Sequence, residues 1–273
     1  VQVKILKGTG DPRGMNDESI FSLLFSGRFD RPGTRIHWQA TRLNPPAELT
    51  REIDRHWRDI ADRGHFNGTI ARLEDWTYAP DRLELFLRPT DYKTQLYSNY
   101  AVDEIVAHWG EPHLARALGI SAVVNSRDHQ ILVMKRSETV GEYPGCYDVF
   151  GGHIDCPASD PPDVFAAMAA ELREELALEE YEVVLYGYGL ISAVAIRKPE
   201  LLFTAQADLT ADEILARAQT ARDRNEYGSL QALPDRADAI GRFMSDHRDE
   251  ISPSAYGCLA VYREQMRQHG RRR

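Results

Sequence analysis

The sequence predicts an α/β or α+β protein, and two observations carry that prediction. Along the 273 residues, runs with strand-like alternation are interleaved with amphipathic runs of helical period. Near the middle, residues 147–178 read as a short strand, a paired-glycine loop and a helix bearing a carboxylate cluster. The length suffices for one large or two ordinary domains with a substantial core. A boundary is expected near His113, which divides a smaller α+β domain (1–113) from a second domain (114–273).

In chain order, residues 1–6 alternate like a strand and 8–14 form a turn-rich loop. Residues 19–25 fit a short helix or a strand, and 35–43 read as a strand closed by Asn44, Pro45 and Pro46. A helix is expected over 47–63, with Leu49, Ile53, Trp57 and Ile60 on one face and Gly64 as its C-cap. Residues 69–78 and 82–88 read as a hairpin. The polar, tyrosine-rich segment 89–100 reads as a connection and helix start, and 101–117 as a helix interrupted near Gly110 and Pro112. A second hairpin is expected from 120–124 and 130–136, followed by a loop over 140–146. Beyond the central stretch, 181–194 and 200–208 read as β-rich, 209–221 as a helix and 225–233 as a strand. Helices over 237–245 and 252–268 complete the chain.

The sequence YDVF suits a buried strand, and Gly151 and Gly152 permit a sharp turn or close approach. Pro161 and Pro162 keep the following run out of a helix, and Asp160 with these prolines makes a helix start. From 164 to 178, Phe165, Met168, Leu172 and Leu176 recur at helical spacing. Glu171, Glu174 and Glu175 stand at i, i+3 and i+4, on one face. Like charges at these spacings repel by a few tenths of ~1 kcal/mol per pair. The pattern fits either a solvated acidic face or a site for a hard divalent cation, which takes oxygen ligands.

Composition narrows the partners. A net charge of −9 argues against nucleic acid, whose binders need a basic footprint; Arg271, Arg272 and Arg273 form only a short basic tail. Cys146, Cys156 and Cys258 have no metal-ligand spacing, which points to a reducing, cytoplasmic setting. No signal peptide is visible and no apolar run approaches the ~18 residues of a membrane helix, so no membrane partner is expected.

A strand, GGH and a helix with ELREEL resemble the signature of the Nudix hydrolase family, G-x5-E-x7-R-E-U-x-E-E-x-G-U, where U is aliphatic. Gly152, Glu171, Leu172, Glu174, Glu175 and Leu178 fall on matching positions. Ala170 replaces the family's arginine and Ala177 its second glycine. The loop is four residues longer than the pattern, and the isolated glutamate falls on Ala158 or Pro162, with Asp155, Asp160 and Asp163 as open replacements. Further segments between Leu83 and Tyr262 resemble the UDP-glucose diphosphatase branch, which carries an N-terminal extension.

The resemblance implies a mixed sheet sandwiched between helices and Mg²⁺-dependent cleavage of a UDP-sugar to UMP and sugar 1-phosphate, with Mn²⁺ as the alternative ion. It implies Glu171, Glu174 and Glu175 as metal ligands, with a backbone carbonyl of Gly151 or Gly152, and Glu226 as a further metal ligand or general base. Arg136, at a strand end, suits bidentate phosphate recognition. Tyr92, Lys93, Asn99 and His153 are candidates for binding the nucleotide or sugar between the two domains. Two other readings stay open: a Nudix enzyme for ADP-ribose or dinucleotide polyphosphates, and a Nudix-fold domain that binds a nucleotide without turning it over. The oligomeric state is left open.

Overall fold

The computed structural model describes residues 20–60, 66–156 and 160–270. The strand and loop expected over 1–14, the Gly64 cap and the tail at 271–273 lie outside the described residues. The first half contains β1 (Phe21–Phe29), β2 (Thr34–Trp38), α1 (Ala47–Ile60), β3 (Thr69–Ala79), β4 (Arg82–Asp91), α2 (Tyr92–Tyr100) and α3 (Val102–Trp109). The second contains β5 (Gly119–Asn125), β6 (Gln130–Arg136), β7 (Tyr147–Asp148), β8 (Phe150–His153) and α4 (Val164–Leu176). It continues through β9 (Val183–Ala193), β10 (Lys198–Ala207), α5 (Ala211–Ala218), β11 (Tyr227–Pro234), α6 (Ala237–Asp246) and α7 (Pro253–Gly270).

The main sheet has eight strands in the order β1-β9-β10-β5-β6-β11, with β8 paired to β5 and β7 to β6. Pairing is mixed: β10 runs parallel to β5 and antiparallel to β9. The β5–β6 hairpin pairs only at Val124↔Leu132 and Asn125↔Ile131. Beyond that point the strands receive β8 and β7, and that is where the double glycine lies.

Alternation along the central strands decides which helix covers which face. Ile120, Ala122 and Val124 of β5 join a core with Met168, Leu172 and Leu176 of α4. Val123 joins the other core, with Ile240 and Phe243 of α6 and Cys258 and Leu259 of α7. A period of two thus places α4 and α7 on opposite faces, the expected sandwich. Beside it, β2, β4 and β3 form a three-stranded sheet. Its Leu83, Leu85 and Leu87 belong to the same core as Ile120 and Phe150.

Several local expectations are corrected. Residues 21–29 are a strand, and β1 pairs antiparallel with β9 in the main sheet. The strand expected over 35–43 ends at Trp38, and β4 extends to Asp91. The helix expected to 117 stops at Trp109, where Gly110 takes φ 90°, and Ala117 forms an isolated bridge with Arg72. The cap of α4 is Asp163 rather than Asp160, because its carboxylate accepts the amides of Phe165 and Ala166. That helix ends at Leu176, since Ala177 turns left-handed at φ 54°. Residues on both sides of His113 share one core, to which Phe25 and Phe29 also contribute.

Candidate active site

The site is built where β8 meets α4. β8 hydrogen-bonds along β5, with Gly151 opposite Ser121 and Gly152 opposite Ile120. Gly151 has φ 145°, and a Cβ there would run into the Ile120 carbonyl. A Cβ on Gly152 would collide with the Glu171 carboxylate. Gly151 therefore demands glycine, whereas at Gly152 the close contact is with a side-chain end that can shift. Phe165, Met168 and Leu172 of α4 pack in one core with Phe150 of β8, and Glu171 and Glu175 flank that buried stripe. The Gly151 amide then donates to Oε2 of Glu175 at 2.9 Å.

Glu175 is only 2% exposed. Burial and the neighbouring Glu171 push its carboxyl well above the usual range. Glu171 is pushed up to about 8, by burial first and then by Glu174, Glu226 and Asp155. Glu226 is also raised by burial. It sits in a 3-10 turn before β11, where the Ser137 amide donates to its carbonyl at 2.8 Å. The Asp223 amide donates to the Glu174 carbonyl at 2.8 Å, tying this turn to the end of α4. The structure thus brings together Glu171, Glu175, Glu226 and the two glycines. Glu174 is engaged differently, since its carboxylate is gripped by Arg222.

Arg136, at the end of β6, approaches Asp148 at 3.3 Å and donates through Nε to the Glu142 carbonyl at 3.0 Å. Burial opposes its charge, but Asp148, Glu175 and Glu142 outweigh burial and hold the guanidinium above its ordinary pKa. His153 is pushed down to about 4 by burial, then by Lys198 and Arg136, so the ring is neutral. Its Nε2 is buried without a hydrogen-bond partner. The ring meets Tyr92 edge-on at 5.8 Å. Asn99 donates to Oε1 of Glu142 at 2.7 Å.

Lys93 is placed elsewhere: its ammonium pairs with Asp54 at 2.6 Å beside a separate cavity of ≈ 160 Å³. Tyr92, His153, Asp155 and Glu171 share an open cleft of ≈ 500 Å³ with Phe66 and Thr69. That volume lies in the range of small-molecule sites.

Sequence reasoning missed Glu142 and Lys198. Burial acts to raise the Glu142 carboxyl, but Lys198, His153, Arg136 and the Asn99 bond outweigh it and lower the pKa. Lys198 is buried and pairs with Glu200 at 3.3 Å, while Glu200 accepts hydroxyls from Ser121 and Ser254. Neither residue lies in a motif. β10 is buried along nearly its whole length, and nothing local in the sequence marks its first residue, Lys198, as buried too.

Glu171 and Glu175 offer hard oxygen donors, and among the described residues neither makes an ion pair. Buried carboxylates that raise one another's pKa suit a divalent cation. Among the described residues, however, no three acidic, His or Cys side chains already converge as a ligand set. Glu174, held by Arg222, would have to leave it to complete the expected trio. The donor chemistry therefore fits a metal at Glu171 and Glu175.

A double-glycine strand facing an acidic helix, on a mixed sheet between helices, defines a Nudix hydrolase, an enzyme that cleaves a diphosphate linkage. No family model matches the chain. A Bos taurus protein named uridine diphosphate glucose pyrophosphatase NUDT22 is 33% identical over 237 residues, 72% of this chain and 78% of its own. The Homo sapiens protein of that name is 25% identical over 72% of this chain and 75% of its own. The chain belongs to the family of these relatives. Among solved structures, DR0079 from Deinococcus radiodurans aligns with a TM-score of 0.40 and 14% identity, over 53% of this chain and 81% of its own.

Proposed function

We propose that the protein hydrolyses the diphosphate of a nucleoside diphosphate sugar, UDP-glucose or UDP-galactose, to UMP and sugar 1-phosphate. The observation that carries this reading is the 33% identity to a relative named for UDP-glucose, over most of both chains. Glu171 and Glu175 would hold Mg²⁺ or Mn²⁺, joined by Glu174 and a carbonyl of Gly151 or Gly152. When bound, the ion would neutralise the diphosphate and acidify a water. Glu226, raised by burial, would accept the proton of the attacking water. Arg136 would face the phosphate oxygens with a charge its surroundings keep in place. Tyr92, Asn99 and His153 would contact the nucleotide or sugar. In this reading residues up to about 113 act as a substrate-binding module built onto the hydrolase sheet.

Among the described residues no helix is long and apolar enough to cross a membrane. Three free cysteines support a reducing compartment, and the cytoplasm is the proposed location.

The test offers UDP-glucose, UDP-galactose, ADP-glucose, ADP-ribose and CDP-choline to the purified protein, with and without Mg²⁺. UMP and sugar 1-phosphate are expected from the UDP sugars alone, and only with the ion. Turnover of ADP-ribose or CDP-choline instead would retain the hydrolase and remove the UDP-sugar assignment.

A further inference from the structure

Phe66 is a large apolar side chain left 84% exposed, and it lines the same cleft as Glu171, His153 and Tyr92. A scattered surface phenylalanine needs no explanation. This one is held in place over a polar site. The Gly68 amide donates to the Phe66 carbonyl at 3.2 Å, and the Tyr92 amide donates to the Gly68 carbonyl at 3.1 Å. The Lys93 amide donates to Oδ1 of Asn67 at 2.9 Å. The backbone of 66–68 is thus fastened to the first turn of α2, while the ring itself stays in water. Among the described residues no aromatic ring stacks on it. At Gly68 the Phe66 ring and the Asp155 carboxylate border one small space, 3.7 and 3.8 Å from where a Cβ would stand.

We propose that Phe66 is the stacking surface for the substrate's nucleobase, so that the base end lies against the 66–69 rim and the diphosphate reaches in toward Glu171. The inference rests on the nucleotide-sugar reading. An exposed aromatic face at the rim of the cleft matches a flat π-system, and base–aromatic stacking tolerates any base. A sugar ring needs partners for its hydroxyls. Asn99 and Glu142, which suit that, are grouped with Lys198 away from Phe66, while Thr69 and Asp155 at the rim can meet the polar edge of a stacked base.

The test measures binding of UMP, AMP, CMP and glucose 1-phosphate to the full chain by calorimetry, comparing wild type with Phe66→Ala and Phe66→Trp. Loss of a stacking partner corresponds to roughly tenfold weaker nucleotide binding. That loss is expected in Phe66→Ala for whichever nucleotide the wild type binds, with glucose 1-phosphate unchanged and affinity kept in Phe66→Trp. The thermal midpoint is expected to stay constant, because the ring is exposed. If AMP binds and UMP does not, the uridine assignment falls while the Phe66 loss on AMP still supports the stacking role. Equal affinity in Phe66→Ala, a loss shared by glucose 1-phosphate, or no nucleotide binding by the wild type would overturn the proposal.

Discussion

The amide of Gly151 and the carboxylate of Glu175 are joined by a 2.9 Å hydrogen bond, which links the double-glycine strand to the acidic helix at the carboxylate most sealed from water. One donated N–H offsets only part of the cost of burying that charge, so the carboxyl is held well above its usual range. If Glu175 serves as the proposed metal ligand, stability and catalysis are set against each other at this residue.

Replacing Glu175 by Gln separates the two. The amide oxygen still accepts from Gly151, and the buried charge is gone. Folding stability is expected to hold or rise in urea titrations. Hydrolysis is expected to fall by at least about 100-fold, because metal ligation contributes several kcal/mol to transition-state charge stabilisation. Retained activity would remove Glu175 from the metal assignment.

Stability of the metal-free protein should fall as pH rises. Glu171 has its folded pKa raised from 4.5 to about 8, and Glu175 is raised too. Between those two values of Glu171 the folded protein binds more protons than the unfolded chain, so its contribution is fully present at low pH and is lost as the carboxyl ionises. Urea midpoints measured from about pH 5 to about pH 8 are expected to decline, and Glu171→Gln to flatten the decline. Added Mg²⁺ is expected to stabilise more at the alkaline end, since ligands bind ionised.

In the proposed metal site, Glu174 would exchange Arg222 for the ion. The arginine is 66% exposed, so the pair contributes at most about 1 kcal/mol. Arg222→Ala should lower the half-saturating Mg²⁺ concentration by up to about fivefold with little change in kcat. A higher half-saturating concentration would mean that Arg222 orients Glu174 for the metal instead of competing for it.

Ala177 ends α4 at φ 54°, in the left-handed region where a Cβ is costly. This is the position where the Nudix pattern carries glycine. Ala177→Gly is expected to raise stability by about 1 kcal/mol, read as a shift in the urea midpoint.

What the chain discloses in advance follows the range of the interactions. Glu171, Glu174 and Glu175 could be read as one face because helix periodicity is local. Arg136 could be placed at a strand end, while Glu226 was marked only by the family resemblance. Glu142 was not, because its partner Asn99 lies 43 residues away and the pair forms only after α2 packs beside the 137–146 loop. The choice between Asp160 and Asp163 as cap turned on which carboxylate reaches the first free amides, a matter of ångströms. Residues 19–25 fitted a helix or a strand equally in sequence, and only pairing with β9 decides for the strand.

That neighbour has a practical consequence. Six residue pairs, from Phe21↔Ala193 to Phe29↔Gly187, seal the outer border of β9. Cutting the chain near His113 would remove the seal and withdraw Phe25 and Phe29 from the core. The bared peptide groups of β9 would then recruit strands from other molecules. A fragment starting there should precipitate or form chains, and one retaining the first strand in trans, as an added peptide, should stay dispersed.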